Sequence, residues 1–450
     1  MCNRNTDTGI FNRWATSSEP QSVRTRISRI GLCVKTARPR FVWLCMLLFV
    51  TCILPELSVA ATPESWVATW GSSQLRAGGT DDLPKQPFDG ATLRQIVRVS
   101  VGGTKLRLLL SNAFGDSPLV LQSVYVGRSR SSKVEMIDPH SQLPVLFNGN
   151  ASVTIPAGAE YLSDAVLMNV PALSDVTITM LIEKAPHTIT THSGARATSL
   201  LVAGNHVLDN PLSSPESFPH WFFLGDVEVQ GALNVASIVT LGDSITDGHG
   251  ATTDANDRWP DVLAARLSKA HIGVVNRGIG GNHVLQDGLG PNVLARFDRD
   301  VLATHGVRYL IVLEGVNDIG GLDRTEPHPA AMHNALVREI EAAYVQIVAR
   351  AHSQGIAVFG ATVTAFRDSG YYHPSDQTEA DRNALNQWIK TSDVFDAVID
   401  FDKAMRDPAR PDHLDPTVDC GDHLHPNPTG YKRMGEFVPL ELFRQLEHFH

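Results

Sequence analysis

The sequence predicts two folded parts, a β-sandwich followed by an α/β domain built on a parallel sheet. From residue 66 to about residue 229, short β-rich runs are separated by turn signals, without a long amphipathic helix among them. From Val235 onward, apolar strand-like runs alternate with helical stripes, as in strands joined by crossover helices. The 450 residues are enough for two such domains. We therefore divide the chain into a leader (residues 1–60), a β-sandwich domain (61–232) and an α/β domain (233–450).

The leader has the pattern of an export signal. Arg38 and Arg40 precede an apolar run over residues 41–54, and the small residues 58–60 offer a cleavage site after Ala60. The run is short for a transmembrane helix and has the flanks of a signal peptide. The sequence therefore predicts a secreted or periplasmic protein, with an uncleaved N-terminal anchor as the alternative.

Charge and cysteine content narrow the classes of protein further. Residues 1–60 hold eight Lys or Arg and three Asp or Glu, so 30 basic and 45 acidic residues follow the leader. An acidic chain is unsuited to neutralising phosphates, which argues against nucleic acid as a partner and against adsorption to an anionic membrane. Four of the five cysteines lie in the leader, so a chain cleaved after Ala60 retains Cys420 alone and has no internal disulfide.

The β-sandwich is predicted from several strand-like runs, which cover residues 93–101, 105–110, 119–126, 152–155 and 176–182. Two packed antiparallel sheets bury strands of this kind. Three tryptophans in this part, Trp66, Trp70 and Trp221, could line a sugar-binding face, although tryptophan in a β domain more often belongs to the core. We find no catalytic pattern in this part of the sequence.

The α/β domain is predicted from buried-strand runs over residues 235–241, 309–313, 356–359 and 397–401. The clearest helical stripe between them has apolar residues every three or four positions, at Leu336, Ile340, Tyr344, Ile347 and Ala351. Such alternation indicates a parallel sheet with helices on both faces. Ligands bind beyond the carboxyl ends of the strands in such sheets, so we look for function there.

Three of the strand ends carry residues suited to acyl transfer. Ser244 follows the first strand in a Gly-Asp-Ser turn, from which its hydroxyl can project into the crevice. A further strand-like run, at residues 274–276, leads into a glycine-rich segment with Gly281, whose backbone N–H could approach a substrate oxygen. Asn317 follows the strand-like run over residues 309–313 and offers a side-chain NH₂. Each segment alone could also be an ordinary polar turn or helix cap.

Near the C-terminus, Asp422 precedes His425 by three residues, a spacing at which a carboxylate can orient an imidazole. Asn427 and Pro428 resemble the N-cap and first position of a following helix. The alternative for this segment is a metal site. Its ligands would come from Asp419, Cys420, Asp422, His423 and His425. We favour the triad and predict no metal, because a metal site leaves Ser244, Gly281 and Asn317 unused.

In this order, Ser244, Gly281, Asn317 and His425 resemble the four motif blocks of the SGNH (GDSL) hydrolase superfamily. Those blocks are Gly-Asp-Ser, Asn-x-x-x-x-Gly, Gly-x-Asn-Asp and Asp-x-x-His, and the resemblance covers about residues 235–450. Ile245 stands where the family name has Leu. The chain from residue 65 onward also looks like a secreted bacterial branch with an N-terminal β domain, whose members are labelled acetylxylan-esterase-like or lysophospholipase-like.

The resemblance implies a three-layer α/β/α, flavodoxin-like domain and a serine esterase that works without a cofactor. His425, oriented by Asp422, would take the proton of Ser244, which forms an acyl-enzyme. The backbone N–H groups of Ser244 and Gly281 and the side chain of Asn317 would hold the oxyanion. We expect short acyl groups on carbohydrate as substrate, possible partners being acetylated polysaccharides. The alternatives are a lysophospholipase or lipid esterase, and a non-catalytic cell-surface carbohydrate-binding protein.

Overall fold

The computed structural model describes residues 65–78, 83–134, 137–230 and 235–443, all within one compact unit that begins at Pro63. The predicted signal peptide, its cleavage site after Ala60 and the four leader cysteines lie outside the described residues. None of the helices in these four segments combines the length and apolarity needed to cross a membrane.

The N-terminal region contains two larger antiparallel sheets and a small third one. The strands are β1 (Trp66–Gly71), β2 (Leu75–Arg76), β3 (Ala91–Arg98), β4 (Gly103–Ser111), β5 (Leu119–Arg128), β6 (Leu143–Val145), β7 (Val153–Ile155), β8 (Glu160–Leu162), β9 (Val166–Val170), β10 (Asp175–Lys184), β11 (Thr190–His192), β12 (Ser199–Ala203), β13 (Glu216–Phe218), β14 (Trp221–Phe222) and β15 (Leu224–Gln230). The first sheet has the order β1-β15-β4-β8 with β9 also on β4, and the second has the order β13-β12-β3-β10-β5-β6 with β7 on β5. The third has the order β14-β11-β2.

The two larger sheets share one apolar core, as in a sandwich. Leu108 of the first sheet and Ile178 of the second are both fully buried in the same cluster. Trp70 and Trp221 also belong to this cluster and meet edge to face with ring centroids 4.8 Å apart. Trp66 lies under the guanidinium of Arg107. The core interpretation is therefore confirmed for Trp70 and Trp221, because neither ring is free to form a sugar platform.

The C-terminal region is built on a five-stranded sheet in which all strand pairs are parallel. Its strands are β16 (Ala236–Gly242), β17 (Ile272–Gly278), β18 (Val307–Leu313), β19 (Ala357–Ala361) and β20 (Ala397–Ile399), and a small separate hairpin adds β21 (Arg406–Asp407) and β22 (Arg410–Leu414). The order of the sheet is β17-β16-β18-β19-β20, the flavodoxin-like order 2-1-3-4-5. The predicted α/β fold with a parallel sheet is confirmed. The last predicted strand ends earlier than expected, because Phe401 begins a helix.

The helices are α1 (Ser244–Asp247), α2 (Trp259–Leu267), α3 (Val293–Phe297), α4 (Val316–Leu322), α5 (Ala330–His352), α6 (Asp376–Thr391), α7 (Phe401–Met405) and α8 (Pro428–Phe437), with a π-helical turn (Asp298–Leu302) and 3₁₀ turns (Pro139–Ser141, Leu440–Phe443). The predicted stripe lies on α5, where Ile340, Tyr344, Ile347 and Ala351 are buried and Leu336 is partly buried. Its hydrophobic spacing is therefore explained by packing against the sheet.

The sandwich packs directly against the parallel sheet. The Ser237 hydroxyl at the start of β16 donates to the Ala68 carbonyl of β1 over 2.6 Å. The Arg277 guanidinium of β17 pairs with Asp226 of β15 over 2.6 Å, and both side chains are buried. Burial raises the pKa of Asp226 to about 6, although Arg277 opposes that shift. This buried ion pair joins the two regions, and loss of either partner alone would leave an uncompensated buried charge at their contact.

Candidate active site

Ser244 begins a one-turn helix just after strand β16, from which Asp243 alone separates it. Asp243 caps this helix, since its side chain accepts the Ile245 N–H over 2.8 Å. A Cβ on Gly242 would lie 2.1 Å from the Thr246 hydroxyl oxygen, so the tight turn requires glycine at this position. The turn directs Ser244 to the carboxyl end of the sheet, where ligand sites of such folds lie.

Ser244, His425 and Asp422 form one chain of hydrogen bonds. The Ser244 Oγ lies 2.7 Å from His425 Nε2, and His425 Nδ1 lies 2.6 Å from Asp422 Oδ2. The other carboxylate oxygen of Asp422 accepts the backbone N–H groups of Leu424 and His425 over 3.0 and 2.8 Å. Burial raises the pKa of Asp422, but the hydrogen bonds from His425 outweigh it and hold that pKa well below its ordinary value. The carboxylate is therefore ionised and can stabilise an imidazolium.

The loop that carries this pair is anchored by helix α8. The Asn427 side chain accepts the Gly430 N–H over 3.0 Å, and Pro428 is the first helical residue, as predicted. The helix ends at Phe437, before Pro439. His425 therefore sits two residues ahead of a capped helix, which restricts the freedom of its backbone.

Gly281 lies in a tight turn after strand β17. The Asn282 N–H donates to the Ile279 carbonyl over 3.1 Å, which closes a four-residue turn with Gly280 and Gly281 in the middle. Gly281 has φ +67°, the left-handed value that a type II turn requires at its third residue. The Ile279 N–H in turn donates to the Gly242 carbonyl over 3.0 Å, so this turn is tied to the strand that leads to Ser244.

Asn317 lies at the start of α4, and its amide is held on both sides. Its Nδ2 donates to the Asn282 carbonyl over 2.7 Å, and its Oδ1 accepts the Tyr372 hydroxyl. Burial raises the pKa of Tyr372 to about 12, so this hydroxyl stays a donor at neutral pH. Because Oδ1 faces Tyr372, the NH₂ is turned toward the Asn282 loop. One amide hydrogen is used there, and the second remains for another acceptor.

Buried carboxyl groups lie beneath these strand ends. Burial raises the pKa of Asp243 to about 7, and it raises the pKa of Glu314 well above its ordinary value. The Arg296 guanidinium opposes both shifts and lies 3.5 Å from Glu314 Oε1. Arg296 also donates to the side-chain oxygen of Asn282 over 2.7 and 3.0 Å. This one buried cation therefore connects the floor of the site with the loop that receives Asn317.

His249 contacts the candidate triad and was not singled out from the sequence. Its ring centroid lies 4.1 Å from that of His425, and its Nε2 lies 3.8 Å from Asp422 Oδ2. Arg196 of the N-terminal region donates to His249 Nδ1 over 3.0 Å. Burial, together with His425 and Arg196, lowers the pKa of His249 to about 4. A neutral ring therefore covers His425 at neutral pH. His249 follows the Gly-Asp-Ser turn by five residues, but Arg196 has no signal in the sequence.

The metal alternative is less well accommodated by this geometry. Two groups bring ligand-type atoms within 4.8 Å of one another, namely His249, Asp422 and His425, and Asp419, Cys420 and Asp422. His423 belongs to neither group. Its Nδ1 pairs with Asp419 over 2.7 Å. The Nε2 of His425 faces Ser244 instead. The predicted His-x-His ligand pair is therefore divided between two different partners.

A comparison with protein families agrees with the fold and the motif blocks. Residues 240–433 match the model of the GDSL-like lipase/acylhydrolase family. This part of the chain is a GDSL-like hydrolase domain of the SGNH superfamily. The matched range includes Ser244, Gly281, Asn317, Asp422 and His425, and the protein is accordingly a carboxylic ester hydrolase. No curated protein sequence matches the chain.

Solved structures to which part of this chain is similar include a GDSL-like lipase from Bacteroides thetaiotaomicron, with 18% identity and a TM-score of 0.36. The alignment covers 48% of this chain and 93% of that lipase. Another is an acetyl xylan esterase from Geobacillus stearothermophilus, with 18% identity and a TM-score of 0.33. That alignment covers 44% of this chain and 91% of the esterase.

Proposed function

We propose that this GDSL hydrolase domain is a serine esterase in which Ser244, His425 and Asp422 form the catalytic triad. The observation that carries the proposal is the chain of hydrogen bonds of 2.7 and 2.6 Å from Ser244 through His425 to Asp422. His425 takes the hydroxyl proton while Ser244 attacks the ester carbonyl, and the proton then passes to the leaving alcohol. Water hydrolyses the acyl-enzyme by the same route.

The negative charge that develops on the carbonyl oxygen needs donors at the same strand ends. We assign this role to the backbone N–H groups of Ser244 and Gly281 and to the NH₂ of Asn317. The amide orientation of Asn317, fixed by Tyr372, supports this assignment. These steps use side chains and backbone groups alone.

For the substrate, we propose short acyl groups, acetyl in particular, on carbohydrate. Tyr371 is 46% exposed and its ring lies edge-on to His425, with centroids 5.8 Å apart, so that it offers an aromatic face beside the reacting groups. Exposed Leu289, next to Gly281, is an apolar contact that a lipid ester would also use. Lysophospholipid hydrolysis is therefore the competing outcome. We further propose export through the N-terminal leader, which N-terminal sequencing of the mature protein tests.

The substrate class is tested by hydrolysis of 4-nitrophenyl acetate, butyrate and decanoate beside acetylated xylan and lysophosphatidylcholine. We expect acetate and acetylated xylan to react fastest. A preference for decanoate and lysophosphatidylcholine would replace the carbohydrate proposal with the lipid one. Binding of xylan without hydrolysis of any ester would indicate a carbohydrate-binding protein on this scaffold.

The nucleophile is tested by Ser244→Ala, which we expect to fold normally and to lose a factor on the order of 10⁴ to 10⁶ in kcat. Because triad members act as a unit, Ser244→Ala combined with His425→Ala should be scarcely slower than either single variant. Near-native turnover by purified Ser244→Ala would refute the assignment. Additive losses would mean that His425 has a role other than activating Ser244.

A further inference from the structure

Asp247, the last residue of helix α1, has hydrogen-bond partners on two sides. Its Oδ1 lies 3.0 Å from Nε2 of His192 on strand β11 in the N-terminal region. Its Oδ2 accepts the backbone N–H of Gly280 over 3.2 Å. Asp247 and His192 are 6% and 2% exposed. One buried carboxylate therefore joins the sandwich to the turn that contains Gly281.

His192 is bound as a cation. Its Nδ1 lies 2.7 Å from the Ser73 carbonyl oxygen, and its Nε2 faces the Asp247 carboxylate. Both partners accept, so both ring nitrogens donate, which requires the imidazolium form. Burial lowers the pKa of His192, but the charge of Asp247 and the hydrogen bonds from Asp247 and Ser73 raise it above its ordinary value. The contact is therefore an ion pair that holds Asp247 in one position.

The hydrogen bond of the Gly280 N–H bears on the orientation of the peptide at the centre of this turn. Type I and type II turns differ mainly in the orientation of their central peptide, which here joins Gly280 to Gly281. That peptide carries the Gly281 N–H. Asp247 binds the N–H of the preceding peptide and so restrains the turn in its observed form. Without this acceptor, the central peptide can rotate and present a carbonyl oxygen where the N–H had been.

We infer that Asp247 and His192 are positioning residues of the esterase site, through which the sandwich orients the Gly281 N–H for the oxyanion. The inference rests on the proposed function, since it concerns the same oxyanion. It also gives a reason why the sandwich and the hydrolase domain occur together, because His192 of the sandwich holds the Asp247 side chain that binds the Gly281 turn of the hydrolase domain.

The direct test is Asp247→Ala, with kinetics on 4-nitrophenyl acetate. We expect kcat to fall by about 10- to 100-fold, because small misplacements of a catalytic group cost factors of this size. KM should stay within about twofold, since an oxyanion contact strengthens only in the transition state. Affinity for phenylboronic acid, which forms a tetrahedral adduct with an activated serine, should weaken by the same factor as kcat. A loss of stability alone would not produce that parallel.

An unpaired His192 cation could prevent Asp247→Ala from folding, so a second variant removes both charges. In His192→Gln with Asp247→Asn, the glutamine amide can donate to the new side-chain oxygen, which preserves the contact between the regions. The new amide nitrogen then faces the Gly280 N–H and cannot accept it. We expect the same fall in kcat from this folded protein. His192→Gln alone keeps a donor to Asp247, which can still accept from Gly280, so this conservative variant should lose less activity than the double variant.

The matched control is Asp175→Asn, which removes the charge of buried Asp175 from its pair with partly exposed Arg98 within the sandwich (2.9 Å). It should lower Tm and leave kcat unchanged. Unchanged kcat in folded Asp247→Ala and in the double variant would overturn the inference. An equal loss of kcat in Asp175→Asn would also overturn the inference, because the effect would then be general destabilisation.

Failure of the proposed function is recognised separately. In that case Ser244→Ala would remain active, or the wild-type protein would react with neither the ester nor the boronic acid, and the inference would fall with it.

Discussion

The two regions of this protein use their strands differently. In the N-terminal sandwich, neighbouring strands run antiparallel, so the carboxyl ends of neighbouring strands lie at opposite edges of the sheet. In the five-stranded sheet of the C-terminal region, all neighbouring strands run parallel, so the segments after β16, β17 and β18 meet at one edge. Ser244 and Asn317, which are more than 70 positions apart in the sequence, are brought to the same edge of the sheet in this way. The parallel sheet thus brings the candidate catalytic residues to one edge, whereas the sandwich contributes residues that contact this site from a neighbouring region.

In the parallel region, the largest loss of activity after that of Ser244→Ala is expected at Asn317. Asn317→Ala should lower kcat by about two to three orders of magnitude and leave KM similar, because one oxyanion donor is lost. Asn317→Asp should be slower still, since it adds negative charge where negative charge must develop. Tyr372→Phe, which removes only the hydroxyl that orients the amide, should have a smaller effect.

Kinetics and Tm are measured on the same preparations. If Asn317 serves the fold alone, both variants should lose Tm and keep their activity per folded molecule. Higher activity in Asn317→Asp than in Asn317→Ala would refute the role of Asn317 as an oxyanion donor.

Sequence reasoning succeeded where the geometry follows from local pattern. The Gly-Asp-Ser turn, the Asp422–His425 spacing and the Asn427 cap are local features, and the structure brings Ser244, Asp422 and His425 together. The parallel fold was predictable because its strands are continuous apolar runs. The packing of the sandwich against the parallel sheet was not predictable from the sequence. His192 and Arg196 approach the site only because the sandwich docks on it, and no periodicity or motif encodes that contact.

The next prediction concerns this contribution of the sandwich through Arg196. Five groups face His249, namely Arg196, His425, Asp422, Asp247 and the hydroxyl of Tyr431 on its carbonyl. Arg196→Ala removes one cation and the donor to Nδ1, so the pKa of His249 rises from about 4, although burial still holds it down. His249 in this variant therefore becomes charged at a higher pH than in the wild type. A charged ring beside His425 opposes imidazolium formation.

We therefore expect the acid limb of the kcat profile of Arg196→Ala to move to higher pH, with activity unchanged above about pH 8, where a histidine of ordinary pKa is neutral. His249→Phe keeps a ring on His425 without a titrating group. In that background, Arg196→Ala should leave the acid limb in place. A shift that persists in His249→Phe would show that Arg196 acts through another group.

The smallest effect is expected at His423, two residues from the imidazole of His425. Its side chain is 55% exposed and pairs with Asp419 rather than with Ser244 or Asp422. His423→Ala should lose only a half-exposed pair worth less than about 1 kcal/mol and keep most of its kcat. The comparison with His425→Ala separates the two chemistries that the segment could support. In a triad, only the histidine facing Ser244 matters, whereas a metal site would need both. A collapse of activity in His423→Ala that added zinc reverses would therefore favour the metal site over the triad. An unchanged kcat, with and without a chelator, would restrict the chemistry of this loop to Asp422 and His425.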